Sequence, residues 1–482
     1  MLAATVMNIL DSTIVNVAAP AISADLGATY SDLQWIAASY TLALAAGLLT
    51  GGRLGDMFGR KRILMIGLVG FVAASLSCSL AWGPEALIVS RVLQGLFGAV
   101  MIPQGFGLIR DLFPPQQIGK AFAALGPVIG GSTILGPIVA GLLVDADLLG
   151  TGWRMVFAIN LPLGLFSLIA GAKALPHVKG GREGGLDVLG ALIAATGMFL
   201  LVFPLVQGRE LGWPAWTVTM MISAILAFGI FTGYQMSRKR NGRTPLVQLS
   251  VFAKRSYTSG VVFVVVFFGS IVGFSLAVGL FLQLGLGQSP VRASLTMAAW
   301  AIGAFFGSGF AAGMMTRLGR RILHIGLSMM AVGLVLLYAV FSQGVASAGG
   351  LKLVLPMVLY GIGMGMIFVP LFDIIMGDIK DREVGSASSM LESIQQMGAS
   401  LGVAVLGTVF FAAVGPRPDA QTFLGASQQV TLIALALTVV SLGLAFLLPR
   451  RARAHAAPDA PAPSPTTAPE TERATELEPV HA

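Results

Sequence analysis

The amino-acid sequence predicts an all-α polytopic membrane protein with 14 transmembrane helices: two pseudo-symmetric six-helix bundles plus two inserted helices. Three observations lead to this fold class. Hydrophobic residues make up 55% of the chain and charged residues only 11%, against about 25% charged residues in a typical globular domain. Apolar runs of about 20 residues, long enough to cross a ~30 Å hydrocarbon core, recur along the chain. Basic residues and tryptophans are distributed over the connecting loops as membrane topology requires.

Successive predicted spans cross the membrane in opposite directions, so the connecting loops alternate between its two sides. The basic residues are concentrated in the loops on one side. The cytoplasmic loops and residues 450–453 just after the last span hold 23 Lys and Arg residues, whereas the opposite loops hold five. This positive-inside bias predicts that both termini lie in the cytoplasm. The predicted location is the plasma membrane. The spans are predicted near residues 2–22, 34–52, 63–82, 86–108, 118–144, 156–175, 186–206, 215–236, 257–283, 293–315, 322–342, 351–372, 384–414 and 427–448.

The chain also repeats itself at two matched places. Residues 118–121 (IGKA) open the fifth span and 384–387 (VGSA) open the thirteenth, while GRK at 59–61 and GRR at 319–321 follow the second and tenth spans. Two halves of the same orientation, with the substrate site at their interface, are one known transporter plan; chance similarity of glycine-rich membrane segments is the alternative. The predicted domains are a six-helix bundle over 1–175, two inserted helices and a central cytoplasmic loop over 176–256, a second six-helix bundle over 257–448, and a disordered cytoplasmic tail over 449–482.

The fifth span has an unusual composition. Residues 125–141 (LGPVIGGSTILGPIVAG) are uncharged, rich in glycine and contain two prolines. In water this would be a poor helix, but a bilayer forces the backbone to satisfy its own polar groups, and small residues let helices pack closely. We predict a tightly packed helix bent at Gly136 and Pro137. When the two halves are aligned, Gly136 matches Gly402 but Pro137 matches Val403, so the bend belongs to one half only.

Three ionisable residues lie well inside predicted spans, away from the span ends, where a charge is costly and usually marks a pathway. Asp11, in the middle of the first span, suits reversible protonation; its structural alternative is a hydrogen bond to a neighbouring helix. Arg91 keeps its charge and would compete with the proton for a nearby carboxylate, or it reaches to the outer interface. Glu392 is a second protonation site or a counter-charge for a cationic substrate, or else a solvated residue of the cytoplasmic vestibule.

The loop at residues 52–62 (GRLGDMFGRKR) carries a different signal. Its glycines, Gly52 and Gly59 among them, allow a tight turn between two helices. Asp56 can cap or pair at the positive end of a neighbouring helix, and such a contact would bias a gate if it formed in one conformation only. The alternative is a simple topology anchor. Thr316 takes the place of Asp56 in the matching loop of the second half.

Several of these motifs together resemble those of a known family. The 52–62 loop is similar to the signature loop of the major facilitator superfamily, residues 91–95 (RVLQG) to its fourth-helix motif, and residues 136–141 (GPIVAG) to the fifth-helix motif of its antiporters. Residues 10–20 and 153–162 resemble hallmarks of its fourteen-span drug:proton antiporters. The resemblance implies proton-coupled export by alternating access, with Asp11 and Arg91 as the coupling pair, Asp56 and Arg60 as gate residues, and Gly136, Pro137 and Gly141 in the bend that sets direction.

The departures from the family pattern are few. Ala19 stands where a leucine is usual before Pro20. The chain begins only ten residues before Asp11 with no basic residue ahead of it, which favours a natural start further upstream.

The functional prediction is a proton-coupled exporter of amphipathic drugs or antibiotics that acts as a monomer, with an importer or facilitator of a small metabolite on the same fold as the alternative. No cofactor, metal or nucleic acid is expected, because the chain has no phosphate-binding GxxxxGK[ST] and no HExxH, and topology accounts for the net charge of +8. The proton gradient is the predicted energy source, and protons, the substrate and the lipid bilayer are the predicted partners. Candidate cavity residues are Gln94, Phe305 and Trp300, the last as a stacking residue, although packing is the commoner role of such side chains.

Overall fold

A computed structural model describes residues 2–112, 125–147, 150–176, 181, 185–345, 350–379, 384–415 and 417–449. Within these ranges the regular structure is helical, without strands. The short helical turns Gly152–Arg154 and Met155–Ala158 lead into the sixth helix, and a π-helical turn at Phe281–Gly285 follows the ninth. The helices are α1 (Leu2–Leu26), α2 (Tyr30–Phe58), α3 (Arg60–Ser79), α4 (Pro84–Leu112), α5 (Leu125–Ala146), α6 (Asn160–Ala174), α7 (Val188–Gln207), α8 (Ala215–Arg240), α9 (Arg255–Leu280), α10 (Pro290–Leu318), α11 (Arg321–Phe341), α12 (Leu351–Ile375), α13 (Val384–Val414) and α14 (Ala420–Ala445).

Twelve helical segments of the described chain are long and apolar enough to cross a membrane, so this is a multi-pass membrane protein. The two remaining helices, α1 and α5, contain the shorter apolar segments Ile14–Leu26 and Leu135–Ala146. They lie where the first and fifth spans are predicted, and the count of fourteen spans therefore stays a prediction. Residues 118–124 of the fifth predicted span and residues 450–482 of the predicted tail lie outside the described ranges.

Polar side chains at the helix starts explain several boundaries. Thr29 and Asp32 form a reciprocal capping box at the start of α2, as Asp419 and Thr422 do at α14. The Ser289 side chain accepts a hydrogen bond from the Arg292 backbone at the start of α10. These contacts satisfy backbone N–H groups that have no partner within the helix.

Helix packing repeats in the two halves of the chain. In the first half α4 packs on α2 and α3, and α1 packs on α5; in the second, α12 packs on α10 and α11, and α9 packs on α13. The most extensive contacts between the halves are two equivalent ones, α2 with α13 and α5 with α10, and α1 makes smaller contacts with α9 and α10. The proposed domain limits stay predictions, but this arrangement accounts for the internal repeat of the sequence.

The matched loops of the two halves also adopt similar turns. Gly59 ends α2 with φ +92° and Gly319 ends α10 with φ +48°, values that favour glycine because other residues are strained there. Basic residues after these turns bind the last carbonyl groups of a distant helix. Lys61 donates to the carbonyls of Ala172, in the last turn of α6, and of Leu175, just after it. Arg320 donates to those of Phe446 and Leu448 beyond α14. Cations at a helix C-terminus stabilise it.

The inserted helices α7 and α8 lie beside only one of the two contacts between the halves. Helix α7 packs on both α2 and α13, and α8 packs on α7. The Ser31 hydroxyl of α2 donates to the Gln207 side chain over 2.7 Å, and the Thr408 hydroxyl of α13 donates to the Leu205 carbonyl over 2.8 Å. Helix α7 is therefore hydrogen-bonded to both halves of the protein.

Candidate functional site

A polar network surrounds Asp11 inside the first six-helix half. The Arg91 guanidinium of α4 forms an ion pair with the Asp11 carboxylate of α1. The Gln94 side chain donates to the other carboxylate oxygen over 2.7 Å, and Asn160 of α6 donates to the same oxygen over 3.0 Å. Asp11, Gln94 and Asn160 are fully buried and Arg91 is 1% exposed. The sequence placed Asp11 and Arg91 in separate spans, and the structure brings them into direct contact.

Arg91 is held by more than its ion pair. Its Nη1 donates to the Gln94 side-chain oxygen over 2.7 Å, and its Nε donates to the Ile36 carbonyl over 3.2 Å. The guanidinium carbon lies 4.2 Å from the centroid of the Tyr40 ring. A buried ion pair is tolerated when hydrogen bonds satisfy the remaining donors and acceptors. The guanidinium therefore does not reach to the membrane interface, which was the alternative interpretation of Arg91.

Three members of this network were not singled out from the sequence. Asn160 lies in the conspicuous segment 153–162, so its position in that motif was an available signal. Ser75 accepts hydrogen bonds from Gln94 over 2.8 Å and from Asn160 over 3.3 Å. Tyr40 accepts a hydrogen bond of 2.5 Å from Asn8. Gln94, predicted to line a substrate cavity, belongs to the Asp11 network.

The loop at residues 52–62 forms a compact charged corner. Arg60, the first residue of α3, donates to Asp56 over 2.7 Å, one turn earlier in α2. The same guanidinium fills the space beside Gly107 of α4, where a Cβ would lie 1.6 Å from its Nη1. Gly52 faces the other half: a Cβ there would lie 3.8 Å from the Ser389 hydroxyl of α13. This corner thus joins three helices of the first half at a point of contact with the second.

The predicted bend of the fifth span lies on the other contact between the halves. Gly136 is buried and Pro137 is half-buried within α5. A Cβ on Gly141 would lie 2.7 Å from both the Pro290 carbonyl oxygen and the Ser294 hydroxyl of α10. At the end of this helix, Asp145 accepts a hydrogen bond of 3.2 Å from the Val291 backbone N–H. The glycine at 141 therefore permits the close approach of α5 to α10.

Glu392 lies apart from the Asp11 network, on α13. It is half-buried and makes no hydrogen bond or ion pair with the described part of the chain. The next residue, Ser393, is fully buried and donates to the Ala45 carbonyl of α2 over 2.6 Å. Glu392 is thus placed next to the α2–α13 contact, and no residue of the described ranges pairs with its carboxylate.

The two aromatic cavity candidates of α10 have different surroundings. Trp300 is 7% exposed and packs edge-on against Tyr360 of α12, with ring centroids 4.8 Å apart. Phe305 is 49% exposed and its ring contacts Phe306. The structure therefore places Trp300 in an aromatic cluster and leaves Phe305 at the exposed face of the helix. Within the described ranges, no group of three or more His, Cys, Asp or Glu residues is arranged to hold a metal ion.

Comparison with known proteins identifies the family. The sequence profile of the Major Facilitator Superfamily matches residues 1–254. The chain belongs to the Major Facilitator Superfamily. A relative described as a probable actinorhodin transporter of Streptomyces coelicolor is 46% identical over 90% of this chain and 76% of its own length. The tetracenomycin C resistance and export protein of Streptomyces glaucescens is 36% identical over 84% of this chain and 74% of its own.

The fold of this superfamily member is also similar to a solved one. The crystal structure of an auto-inhibited peptide transporter of the POT family superposes with a TM-score of 0.66, covering 94% of this chain and 98% of the other at 15% identity. At that identity the likeness concerns the fold alone. Membership of the superfamily makes the chain a transport protein for small molecules rather than an enzyme, as the sequence predicts.

Proposed function

We propose that the protein is a proton-coupled exporter of amphipathic drugs or antibiotics, located in the plasma membrane with both termini in the cytoplasm. The similarity to transporters named for actinorhodin and for tetracenomycin C resistance and export supports the substrate class and the direction. The observation that carries the proton-coupling part is the Asp11–Arg91 ion pair, buried within one half of the transporter. A single polypeptide acting as a monomer suffices for this mechanism.

The network provides a physical route from proton binding to conformational change. With Asp11 ionised, its carboxylate holds Arg91, Gln94 and Asn160 from two other helices. Proton uptake removes the charge that holds Arg91 and weakens the donor contacts, because charge-assisted hydrogen bonds are the stronger ones. Protonated and ionised states therefore favour different packing of α1 against α4 and α6. A ligand shifts a conformational equilibrium by this kind of difference in free energy.

The proton gradient supplies enough free energy for export. One pH unit is equivalent to about 1.4 kcal/mol, and 100 mV adds about 2.3 kcal/mol for each charge moved. One proton per cycle, with one net charge moved, therefore sustains a substrate gradient of several hundred-fold, roughly. Glu392 has a second role in this proposal, either as a further protonation site or as the counter-charge for a cationic substrate.

The decisive experiment is substrate-dependent proton movement in inverted vesicles that carry Asp11→Asn. We expect the variant to insert and to bind substrate but to lose accumulation driven by an imposed pH gradient. Asp32→Asn is the matched control, because Asp32 lies outside the network and accepts the Thr29 backbone N–H at the start of α2, a bond that an asparagine side-chain oxygen can also accept. Full gradient-driven accumulation by Asp11→Asn would refute the coupling role. Drug sensitivity that increases on expression in an efflux-deficient host would favour the importer.

A further inference from the structure

Close backbone contacts align the two halves of the transporter residue by residue. A Cβ on Gly95 of α4 would lie 2.4 Å from the Tyr40 carbonyl oxygen of α2. A Cβ on Gly361 of α12 would lie 2.0 Å from the Trp300 carbonyl oxygen of α10. Tyr40 and Trp300 thus occupy equivalent positions. The residues before the two glycines, Gln94 and Tyr360, are then equivalent as well.

The equivalent positions have opposite chemistry. In the first half, Tyr40 and Gln94 surround a buried ion pair. In the second half, Trp300 and Tyr360 pack with Phe274 of α9, whose ring centroid lies 6.1 Å from that of Trp300 and 5.4 Å from that of Tyr360. All three rings are buried, none being more than 7% exposed. We call these three residues the aromatic cluster.

The two polar hydrogens of the aromatic cluster lack a strong acceptor. The Trp300 indole N–H donates to the Met364 sulfur over 3.1 Å, and a thioether is a weak acceptor. The Tyr360 hydroxyl is buried without any hydrogen-bond partner in the described part of the chain. Buried tyrosine and tryptophan side chains usually find a partner for their polar atom. Two such donors in one cluster point to an acceptor that the described residues do not supply.

The aromatic cluster lies next to the boundary between the halves. At Gly279 of α9, a Cβ would lie 3.6 Å from the Asn16 carbonyl oxygen of α1 and 3.8 Å from the Met297 sulfur of α10. Trp300 follows Met297 by about one helical turn. Helix α1 also carries Asp11, so one helix connects the aromatic cluster with the polar network.

We propose that the aromatic cluster binds a planar aromatic group of the substrate through stacking on Phe274, Trp300 and Tyr360. The Tyr360 hydroxyl, and the Trp300 N–H once it leaves Met364, donate to a carbonyl or quinone oxygen of that group. The inference rests on the proposed export function and names its substrate class: fused-ring aromatic compounds that carry a carbonyl oxygen. Offset or edge-to-face stacking provides affinity, and the hydrogen bond to oxygen provides selectivity against compounds without it.

The test uses equilibrium binding to purified protein in detergent, which needs no proton gradient. The probes are a hydroxyanthraquinone and a hydroxyanthracene of the same size that lacks the quinone oxygens, both followed by their fluorescence. We expect Tyr360→Phe to weaken quinone binding about tenfold and to leave binding of the anthracene unchanged. Trp300→Phe should weaken the binding of both, because it removes stacking area as well as a donor.

The matched control is Tyr257→Phe in the same half, since the buried Tyr257 hydroxyl already donates to the Ala387 carbonyl over 2.8 Å. It should alter neither affinity. Equal effects of Tyr360→Phe and Tyr257→Phe, an unchanged quinone affinity in Tyr360→Phe, or no saturable quinone binding to the unmodified protein would each overturn the inference. If Tyr360→Phe does not fold, Trp300→Phe measured with both probes decides. Loss of coupling in Asp11→Asn is a separate result, so the two proposals fail independently.

Discussion

Asn160 donates a 3.0 Å hydrogen bond to the carboxylate of Asp11, which lies 149 positions earlier in the chain. Both residues are fully buried. The contact connects α6 to α1 at the residue proposed to carry the proton. Protonation of Asp11 therefore changes the strength of the contact between α1 and α6. Asn160 does not touch the substrate in this proposal and acts as a positioning residue.

Replacing Asn160 by alanine should shift the pH dependence of transport. Its removal leaves one carboxylate oxygen of Asp11 with Gln94 as its side-chain donor, and fewer donors stabilise the ionised form less. The pH of half-maximal exchange should therefore move upward by about one to two units, since a hydrogen bond to a charged group contributes about 1.5–3 kcal/mol. Vesicle transport measured over a pH series tests this. Asn241→Ala, in an exposed loop, is the control, and a lower rate at an unchanged pH midpoint would contradict the prediction.

Replacing Arg91 by lysine should uncouple transport even though the charge is kept. The guanidinium contacts Asp11, Gln94 and the Ile36 carbonyl at once, and a lysine ammonium has no planar fork to reproduce that geometry. We expect gradient-driven transport to fall by more than about tenfold, since at least one hydrogen bond to a charged group is lost. Arg209→Lys, whose partner Glu210 lies 3.9 Å away near the surface, should behave as the unmodified protein. Normal coupling in Arg91→Lys would show that charge alone suffices.

The fold class and the charged members of the Asp11 network could be predicted from the sequence. The uncharged side chains that contact them could not. Asp11 and Arg91 stand out because charges are rare in apolar spans. Ser75 and Tyr40 are ordinary in such segments, and which of them face Asp11 depends on helix rotation. The aromatic cluster could not be derived either, because a phenylalanine-rich helix contains the same residues whether they pack on lipid or on each other. Trp300 and Phe305 lie five positions apart on one helix, yet Trp300 packs on other rings and Phe305 is exposed.

A methyl group at Gly107 should disturb the gate without disturbing the fold. Its carbon would take the place of the Arg60 guanidinium, so the flexible Arg60 side chain must move and its 2.7 Å contact with Asp56 is strained. We expect Gly107→Ala to slow transport roughly several-fold with little change in thermal unfolding, because this ion pair is partly exposed and pairs near the surface contribute only about 0–1 kcal/mol to stability. Gly229→Ala, which meets open space on α8, is the matched control. Equal transport by the two variants would assign the Asp56–Arg60 pair to topology rather than to gating.

Asp187 should stabilise the inserted helices at every physiological pH. Burial acts to raise its pKa, but hydrogen bonds from Gln235, the Gly190 backbone and Tyr234, with the Arg238 charge, hold the pKa below its ordinary value. A lowered pKa means that the stabilisation is complete above the ordinary value and is lost only as the pH falls through the lowered one. Between about pH 5 and 8, unfolding should therefore not depend on this group.

Removal of the Asp187 carboxylate tests this role directly. Asp187→Ala leaves the buried Gln235 amide without its acceptor and removes the ion-pair partner of Arg238, and we expect it to lower the free energy of unfolding by about 1–3 kcal/mol. Differential scanning fluorimetry of the purified protein measures the change. Asp419→Ala, at the exposed start of α14, should have a smaller effect. A pH-dependent loss between about pH 5 and 8 would contradict the assigned ionisation state.

Pro137 and Val403, matched by the internal repeat, occupy the two different contacts between the halves. Pro137 lies in α5 four residues before Gly141, which approaches α10; Val403 is 1% exposed, and its carbonyl accepts from Gln34 of α2 over 3.5 Å. Pro137→Ala restores a backbone N–H and removes a helix-bending ring, so we expect protons to leak without substrate. Val403→Ala removes buried methyl groups and should lower stability by about 1–3 kcal/mol while coupling persists.

The ratio of protons to substrate molecules, measured per folded protein, separates these two outcomes. A measurement of stability alone cannot separate them, because both variants change packing at a contact between the halves. If Val403→Ala leaks protons as much as Pro137→Ala, then coupling depends on tight packing at either contact, and the proline has no directional role. If only Pro137→Ala leaks, the contact between α5 and α10 sets the coupling, while the α2–α13 contact, to which α7 is hydrogen-bonded on both sides, mainly holds the halves together.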